Sequence, residues 1–304
     1  MIIGRNEPLD YKSIFETIVN VMDEYLTNCK IKAMVLGLSG GLDSTVCAAI
    51  CRRVSDDTGI PFYGISLPCS TNKEDEVSSA SLAGSEFCNT FIEGNIQETF
   101  EAIEKACDAI STLPSTKISQ GNIKARLRMI TLYDIASKMG GIVIDTDNLT
   151  EHYLGFFTVN GDVADLNPIG NLWKTEVYGL AEYLYKEVFK DSKALKAAIE
   201  ITPTDGNGVS GSDLDQIMPG GTYTDVDAIL MPWVTLSDTI KEQYIKNGFE
   251  FERGTIFLKL CEKYGKDNVV RVIKRSVASE FKRLPHPIPI DVFRGQIVKK
   301  LMIE

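Results

Sequence analysis

A ten-residue stretch, Leu36–Thr45 (L-G-L-S-G-G-L-D-S-T), constrains the fold of this chain more than any other. Just before and into it, Ala33–Leu38 is a charge-free apolar run of the length of a buried strand. After it, Ser44–Val54 carries an Ala/Cys/Ile face at helical spacing. A turn rich in glycine and hydroxyls between a strand and a helix suits a phosphate. Gly40 and Gly41 let backbone N–H groups approach without an intervening side chain. Ser39, Ser44 and Thr45 offer hydroxyls, and the positive end of the helix faces the anion. Asp43 would repel a bare phosphate, so it makes sense as a ligand for a metal that a phosphate also binds. A simple helix N-cap by Ser39 or Asp43 is the plainer alternative.

The same alternation continues along the chain. Gly64–Pro68, Ile92–Asn95 and Gly141–Asp145 read as further strands, the last ending in a carboxylate. Helical spacing appears over Ser13–Leu26, Asp75–Phe87, Gln120–Met139 and Asn171–Tyr185. Strands alternating with helices predict an α/β fold, a mainly parallel sheet with helices on both faces in three α/β/α layers. Right-handed crossovers then gather the loops at the strand C-termini on one edge, where ligands bind. The 304 residues are read as one domain over 1–304. Between Thr202 and Asp227 there are five glycines and two prolines, which predicts a flexible loop over 202–227. Residues 232–304 form a C-terminal extension on the same domain: Pro232–Lys266 looks helical with aromatic anchors. The tail L-P-H-P-I-P-I-D is too proline-rich for regular structure.

Composition narrows the chemistry. Seven cysteines are scattered without a C-x-x-C pair, so buried or reduced thiols fit better than zinc, although Cys47 and Cys51 could share a helix face. Two histidines exclude a multi-histidine metal centre but leave oxygen-ligated magnesium open. A net charge of −10 disfavours nucleic acid as a partner. Ala33–Leu38 is too short to span a bilayer, so no membrane association is expected. M-I-I-G-R-N-E lacks the apolar stretch of a secretory leader, which points to the cytoplasm. Five basic residues, Arg271, Lys274, Arg275, Lys282 and Arg283, fall within thirteen positions. They read either as a solvated helical face or as a wall facing an anionic ligand.

Two nucleotide motifs are absent. Without G-x-x-x-x-G-K-[ST] this is not a P-loop, and without G-x-G-x-x-G a dinucleotide redox fold is disfavoured. The strand and turn instead resemble the pyrophosphatase loop of the N-type ATP pyrophosphatases, which cleave ATP between the α and β phosphates. Further segments narrow the resemblance to the NAD synthetases. They are Gln120–Met129 (Q-G-N-I-K-A-R-L-R-M), Asp145–Thr158 (D-T-D-N-L-T-E-H-Y-L-G-F-F-T), G-D-V-A-D-L-N-P-I, L-W-K-T-E-V, Pro203–Asp205 and Glu280–Arg283.

That resemblance implies an adenine nucleotide alpha hydrolase-like, Rossmann-like fold and ATP-driven ligation of ammonia to deamido-NAD through an adenylated nicotinate, with Mg2+. Residue by residue it implies an ATP site of Gly37, Ser39, Gly40, Gly41, Asp43, Ser44, Arg126, Thr146, Lys174 and Thr204. Asp43 and Glu151 would be the metal carboxylates. Arg128, Tyr133, Asp162, Asp165, Phe281 and Lys282 would contact deamido-NAD. Asp43, Lys174, Asp162 and Thr204 would be catalytic, with Lys174 balancing charge as pyrophosphate leaves and Asp162 guiding ammonium. From the residues alone, Glu151 also reads as a helix-capping acid, Tyr133 as a packing aromatic, and Arg126 and Arg128 as surface cations on different helix faces.

Leu42 stands where relatives commonly have glutamine, and Phe281 where many have histidine. The loop acids Asp213 and Asp215 match the family pattern only loosely. A synthetase signature beginning by residue 36 leaves no room ahead of it for an amidase domain, so free ammonia is the expected nitrogen donor. The resemblance also implies a homodimer in which the N-terminal helix and the helix from Gln120 contribute to the contact. A tRNA-thiolating enzyme and a non-catalytic nucleotide-binding protein are the competing readings.

Overall fold

The computed structural model describes residues 9–201 and 214–288, and the backbone of two short strands at 290–291 and 296–297. In chain order the elements are α1 (Tyr11–Asn28), β1 (Met34–Gly37), α2 (Leu42–Thr58), β2 (Phe62–Ser66), α3 (Glu74–Phe87) and β3 (Thr90–Glu93). They continue with α4 (Gln97–Ile110), α5 (Lys117–Met139), β4 (Ile142–Ile144), α6 (Leu149–Leu154), α7 (Lys174–Tyr183) and α8 (Lys193–Glu200). After the undescribed residues come α9 (Tyr223–Thr235), α10 (Asp238–Lys246), α11 (Ile256–Tyr264), α12 (Lys266–Ala278) and the strands β5 (Ile290–Asp291) and β6 (Gln296–Ile297).

β1 to β4 form a parallel sheet in the order β3-β2-β1-β4. Alternation along β1 decides which layer each side chain joins. Met34 and Leu36 point into a large core with α1, α2, α3, α7 and α8, whereas Val35 joins Ile65, Val143 and Ala136 of α5 on the other face. All three β1 residues are fully buried, as expected of a central parallel strand. The result is the expected three-layer α/β/α arrangement. The connection from β1 leads to β2 on one side, while β4 lies on the other, so the carboxyl ends of β1 and β4 flank a topological switch point.

The C-terminal helices build a second core. Leu214, Ile217 and Met218 join Tyr223, Ile229, Leu230, Trp233, Phe257, Val269 and Ile273, together with Leu154 and Trp173 from the α/β part. Two expectations are corrected here. The loop read over 202–227 does not extend that far: Leu214, Ile217 and Met218 are buried and α9 starts at Tyr223. Three apolar side chains at near-helical spacing outweigh the surrounding glycine and proline. Pro232–Lys266 is helical as expected, as the end of α9, then α10 and α11, with a turn across Asn247–Thr255 between the last two. The proline-rich tail is not wholly irregular: its last two residues, Ile290–Asp291, pair antiparallel with Gln296–Ile297. Among the described residues no helix is long and apolar enough to cross a membrane.

Candidate active site

The glycine turn sits at the carboxyl end of β1, at the switch point. Gly40 has φ +82°, a conformation that favours glycine. A Cβ on it would lie 2.3 Å from the Glu76 carbonyl oxygen and 2.7 Å from the Ala80 nitrogen. Gly40 is therefore required by the approach of α3 as well as by the turn. Gly41 has no such neighbour and is the N-cap of α2, with no side chain satisfying the first turn. The hydroxyls turn inward: Ser44 and Thr45 donate to the Gly41 carbonyl at 3.1 and 2.9 Å, and Ser39 and Ser44 share a bond of 3.0 Å. The plain capping role for Ser39 or Asp43 is thus not what the turn uses. Leu42 packs into the core at 3% exposure and leaves the turn to its backbone groups.

Asp43, in the first turn of α2, meets two other elements. Its carboxylate pairs with the Lys174 ammonium and accepts from Asn148 Nδ2 at 3.0 Å. Lys174 Nζ also reaches Glu151 Oε1 at 3.1 Å. Asp43, Glu151 and Lys174, separated by up to 131 positions, therefore converge through α2, α6 and α7. Glu151 closes a capping box with Asn148 at the start of α6 (3.1 and 3.2 Å), as its capping reading expects, and its other oxygen faces Lys174. Burial and neighbouring Asp43 push the Glu151 pKa up while Lys174 opposes them, leaving it at about 7. Burial pulls the Lys174 pKa down, but Asp43 and Glu151 outweigh it and hold the ammonium protonated. The side chain is 4% exposed, and its charge lies 5.2 Å from the Tyr223 ring centroid.

More acids line this edge. Asp145, at the end of β4, accepts from the backbone N–H of Asp147 and Ala164, and burial raises its pKa. Burial and the surrounding carboxylates raise Asp147 as well. Thr146 lies between them, half-buried. Asp162 keeps solvent access, yet the protein around it pushes its pKa up against its bonds to Thr158. Among the described residues no three His, Cys, Asp or Glu side chains form a ready-made metal cage.

The other predicted site residues distribute as follows. Arg128 donates to the Leu67 carbonyl and Asn72 beyond β2, at 3.0 and 3.2 Å. Tyr133 is not simply a packing aromatic: its hydroxyl donates to Asp165 at 3.0 Å, and Asp165 also accepts from the Val143 N–H of β4. Arg126 donates to the Val159 carbonyl, not to the acid cluster. Phe281 is 54% exposed. Thr204 and Asp213 lie outside the described residues, and Asp215 is exposed in the turns before α9. Gly37 ends β1 beneath Leu132 of α5.

The basic patch is neither a fully solvated face nor an open wall. Arg275 donates to the Leu154 carbonyl at 2.7 Å, Arg283 to the Tyr153 carbonyl at 2.9 Å, and Lys282 to the carbonyls of Gly155 and Phe157. These are the last carbonyls of α6 and the residues after it, which a helix leaves without internal partners. Cations there also complement the helix dipole. Cys47 and Cys51 are buried thiols, Cys47 donating to the Asp145 carbonyl at 3.6 Å.

Sequence reasoning missed Asn148, Tyr223 and Asp227. Asn148 had a visible signal, the N-x-x-E spacing of a capping box. The other two had none, because their partners are set by tertiary contact.

A family model described as NAD synthase matches residues 14–284. The NH(3)-dependent NAD(+) synthetase of Carboxydothermus hydrogenoformans is 34% identical over 217 residues, covering 71% of this chain and 84% of that one. Among solved structures, the NMN synthetase of Francisella tularensis superposes with a TM-score of 0.70 at 26% identity, covering 93% of this chain and 99% of that one. The NH3-dependent NAD synthetase of Campylobacter jejuni, in complex with nitrate, superposes with a TM-score of 0.64 at 25% identity over 91% and 99% of the two chains.

Proposed function

Since this chain belongs to the NH3-dependent NAD synthetase family of the N-type ATP pyrophosphatases, we propose that it uses ATP to join ammonia to deamido-NAD. The products are NAD, AMP and pyrophosphate. The observation that carries the reading is the convergence of Asp43, Glu151 and Lys174 beside the glycine turn at the switch point.

Magnesium fits this donor set. It takes one or two carboxylates from a protein and completes its shell with water and substrate phosphates, so a full protein cage is not required. Asp43 and Glu151, two hard oxygen donors already turned toward one cation, would hold it. When bound, the ion supplies neutralisation of the pyrophosphate charge. The rest falls to the chain. Backbone N–H groups of the turn and the α2 N-terminus bind the phosphates. Lys174, kept protonated, offsets charge as pyrophosphate departs.

The reaction itself is an acyl activation. The nicotinate carboxylate attacks the α phosphate, forming a mixed anhydride and expelling pyrophosphate. Ammonia then attacks the acyl carbon and AMP leaves. Ammonium must lose a proton before attack, and Asp162, whose raised pKa makes it a better base, is suited to receive it. Arg128, Tyr133, Asp165 and Lys282 are read as the acceptor's contacts, and Thr204 as a phosphate contact.

A homodimer is part of the proposal. Val21 and Tyr25 of α1 and Ile130 of α5 are exposed apolar side chains on the elements expected at the contact.

One observation favours a second acceptor. The Francisella protein that superposes over 99% of its length is an NMN synthetase. The same chemistry on nicotinate mononucleotide would give nicotinamide mononucleotide. The experiment is therefore pyrophosphate release from ATP, magnesium and ammonium, with deamido-NAD, with nicotinate mononucleotide, and with neither. Release with deamido-NAD, with NAD forming in step, supports the first reading. Release only with the mononucleotide selects the second, and release independent of both refutes the pair.

A further inference from the structure

Helix α7, which opens with Lys174, has no capping oxygen from its N-cap side chain, that of Trp173. Glu176 reaches back to the Trp173 N–H at 3.0 Å. The next two N–H groups are satisfied from other helices. Lys174 N–H donates to Thr150 Oγ1 of α6 at 2.8 Å, and Thr175 N–H donates to Asp227 Oδ2 of α9 at 3.0 Å. The Thr175 hydroxyl donates to the same oxygen at 2.8 Å, and the other Asp227 oxygen accepts the Thr150 hydroxyl at 2.6 Å.

Asp227 is 1% exposed and binds the residue next to each partner of the ion pair. Thr150 precedes Glu151, and Thr175 follows Lys174. A buried carboxylate at a helix N-terminus is favoured by the dipole, and here three donors share it. Four positions earlier on α9, Tyr223 lies against the Lys174 ammonium. The α9 helix therefore restrains Lys174 in two ways, through Asp227 on the flanking Thr175 and on Thr150, which accepts the Lys174 N–H, and through Tyr223 at its charge.

We propose that Asp227 is a positioning residue that locks α6 and α7 in the register bringing Glu151 and Lys174 to Asp43. The catalytic part of this rests on the functional reading above. Thr150 already accepts the Lys174 N–H. An amide at 227 can accept from Thr175 only by turning its NH2 toward Thr150. The Thr150 hydroxyl then loses its acceptor. Asp227→Asn keeps size and shape but leaves one bond mismatched whichever way it turns.

The test combines kinetics with amide hydrogen exchange on Asp227→Asn, Thr150→Val and the double variant. The expected kcat for pyrophosphate release falls about 10- to 100-fold in Asp227→Asn, with KM for ATP within about threefold, as for a misplaced catalytic group. The double variant loses less than the product of the two single losses, because the two changes share one network. Exchange accelerates in peptides spanning 149–155 and 174–178 and stays unchanged in α1. A kcat within twofold of wild type, additive losses, or acceleration that includes α1 overturns the proposal. Should Asp227→Asn fail to fold, Thr175→Val removes one bond to the same carboxylate and must show the same local pattern, smaller. A wild-type protein that releases no pyrophosphate with either acceptor refutes the functional reading, while the exchange pattern still decides the register.

Discussion

Replacing Lys174 by Met removes the one cation that Asp43 and Glu151 share and retains an apolar stem of similar reach. Lys174 is 4% exposed and each carboxylate side chain 15%, so little water can take its place. Two costs follow, and they differ in pH dependence. Breaking a buried pair costs about 3 kcal/mol, a loss that does not vary between pH 6 and 9 because the lysine is protonated throughout. The second cost belongs to Glu151. Its folded pKa of about 7 already exceeds the 4.5 of a free side chain, and Lys174 is the group holding it down. Without Lys174 it rises further. A carboxyl with a raised folded pKa binds a proton that the unfolded chain has released, so stability falls with pH until the folded group ionises. In wild type that fall ends near pH 7; in Lys174→Met it continues. Each further pH unit costs up to about 1.4 kcal/mol. The variant should be about 3 kcal/mol less stable at pH 6.5 and about 5 kcal/mol less stable at pH 8.5. At roughly 2 °C per kcal/mol for a chain of this size, the gap in Tm widens by about 4 °C between those two pH values. Thermal melts of both proteins, without nucleotide or divalent ion, measure it. A gap that is constant or narrows as pH rises refutes the argument that Lys174 restrains Glu151.

Asp43→Asn should lower magnesium-dependent pyrophosphate release at least about 100-fold while the circular dichroism spectrum stays as in wild type; near-normal turnover rules out its metal role. Gly40→Ala should destabilise by about 2–4 kcal/mol, from the positive φ and from a Cβ forced against the α3 backbone, and an unchanged urea midpoint counts against that packing. Ile130→Asp should convert a dimer to a monomer by light scattering, and a wild type that is monomeric at micromolar concentration removes the dimer from the proposal.

The elements legible in the sequence are those whose signal is local. All four sheet strands fall within two residues of their expected positions, and for β1, β2 and β4 the reason is that buried parallel strands read as short apolar runs bounded by breakers. The gaps have physical causes. Helix α6 is six residues long, too short for a periodicity to register, and α4 buries only Phe100. α7 starts three residues later than Asn171 because the donors that define its first turn are satisfied by Thr150 and Asp227, 24 and 52 positions from the residues they serve. The same division runs through the site. Asp43 is legible from its place in the glycine turn, and Glu151 and Lys174 through the segments that resemble the NAD synthetases. The groups that aim them are not, since a buried threonine or aspartate fulfils that duty from any point that tertiary packing brings near. Arg275, Lys282 and Arg283 make the point in reverse: conspicuous as a basic run, they bond carbonyls at and just beyond the end of α6, more than 120 positions upstream. These cations fix the far end of the helix that carries Glu151, so α6 is held at its start by Asn148 and Thr150 and at its close by Arg275, Lys282 and Arg283. A carboxylate whose ionisation is balanced near neutrality requires such restraint, because small movements of Lys174 relative to it would shift its charge.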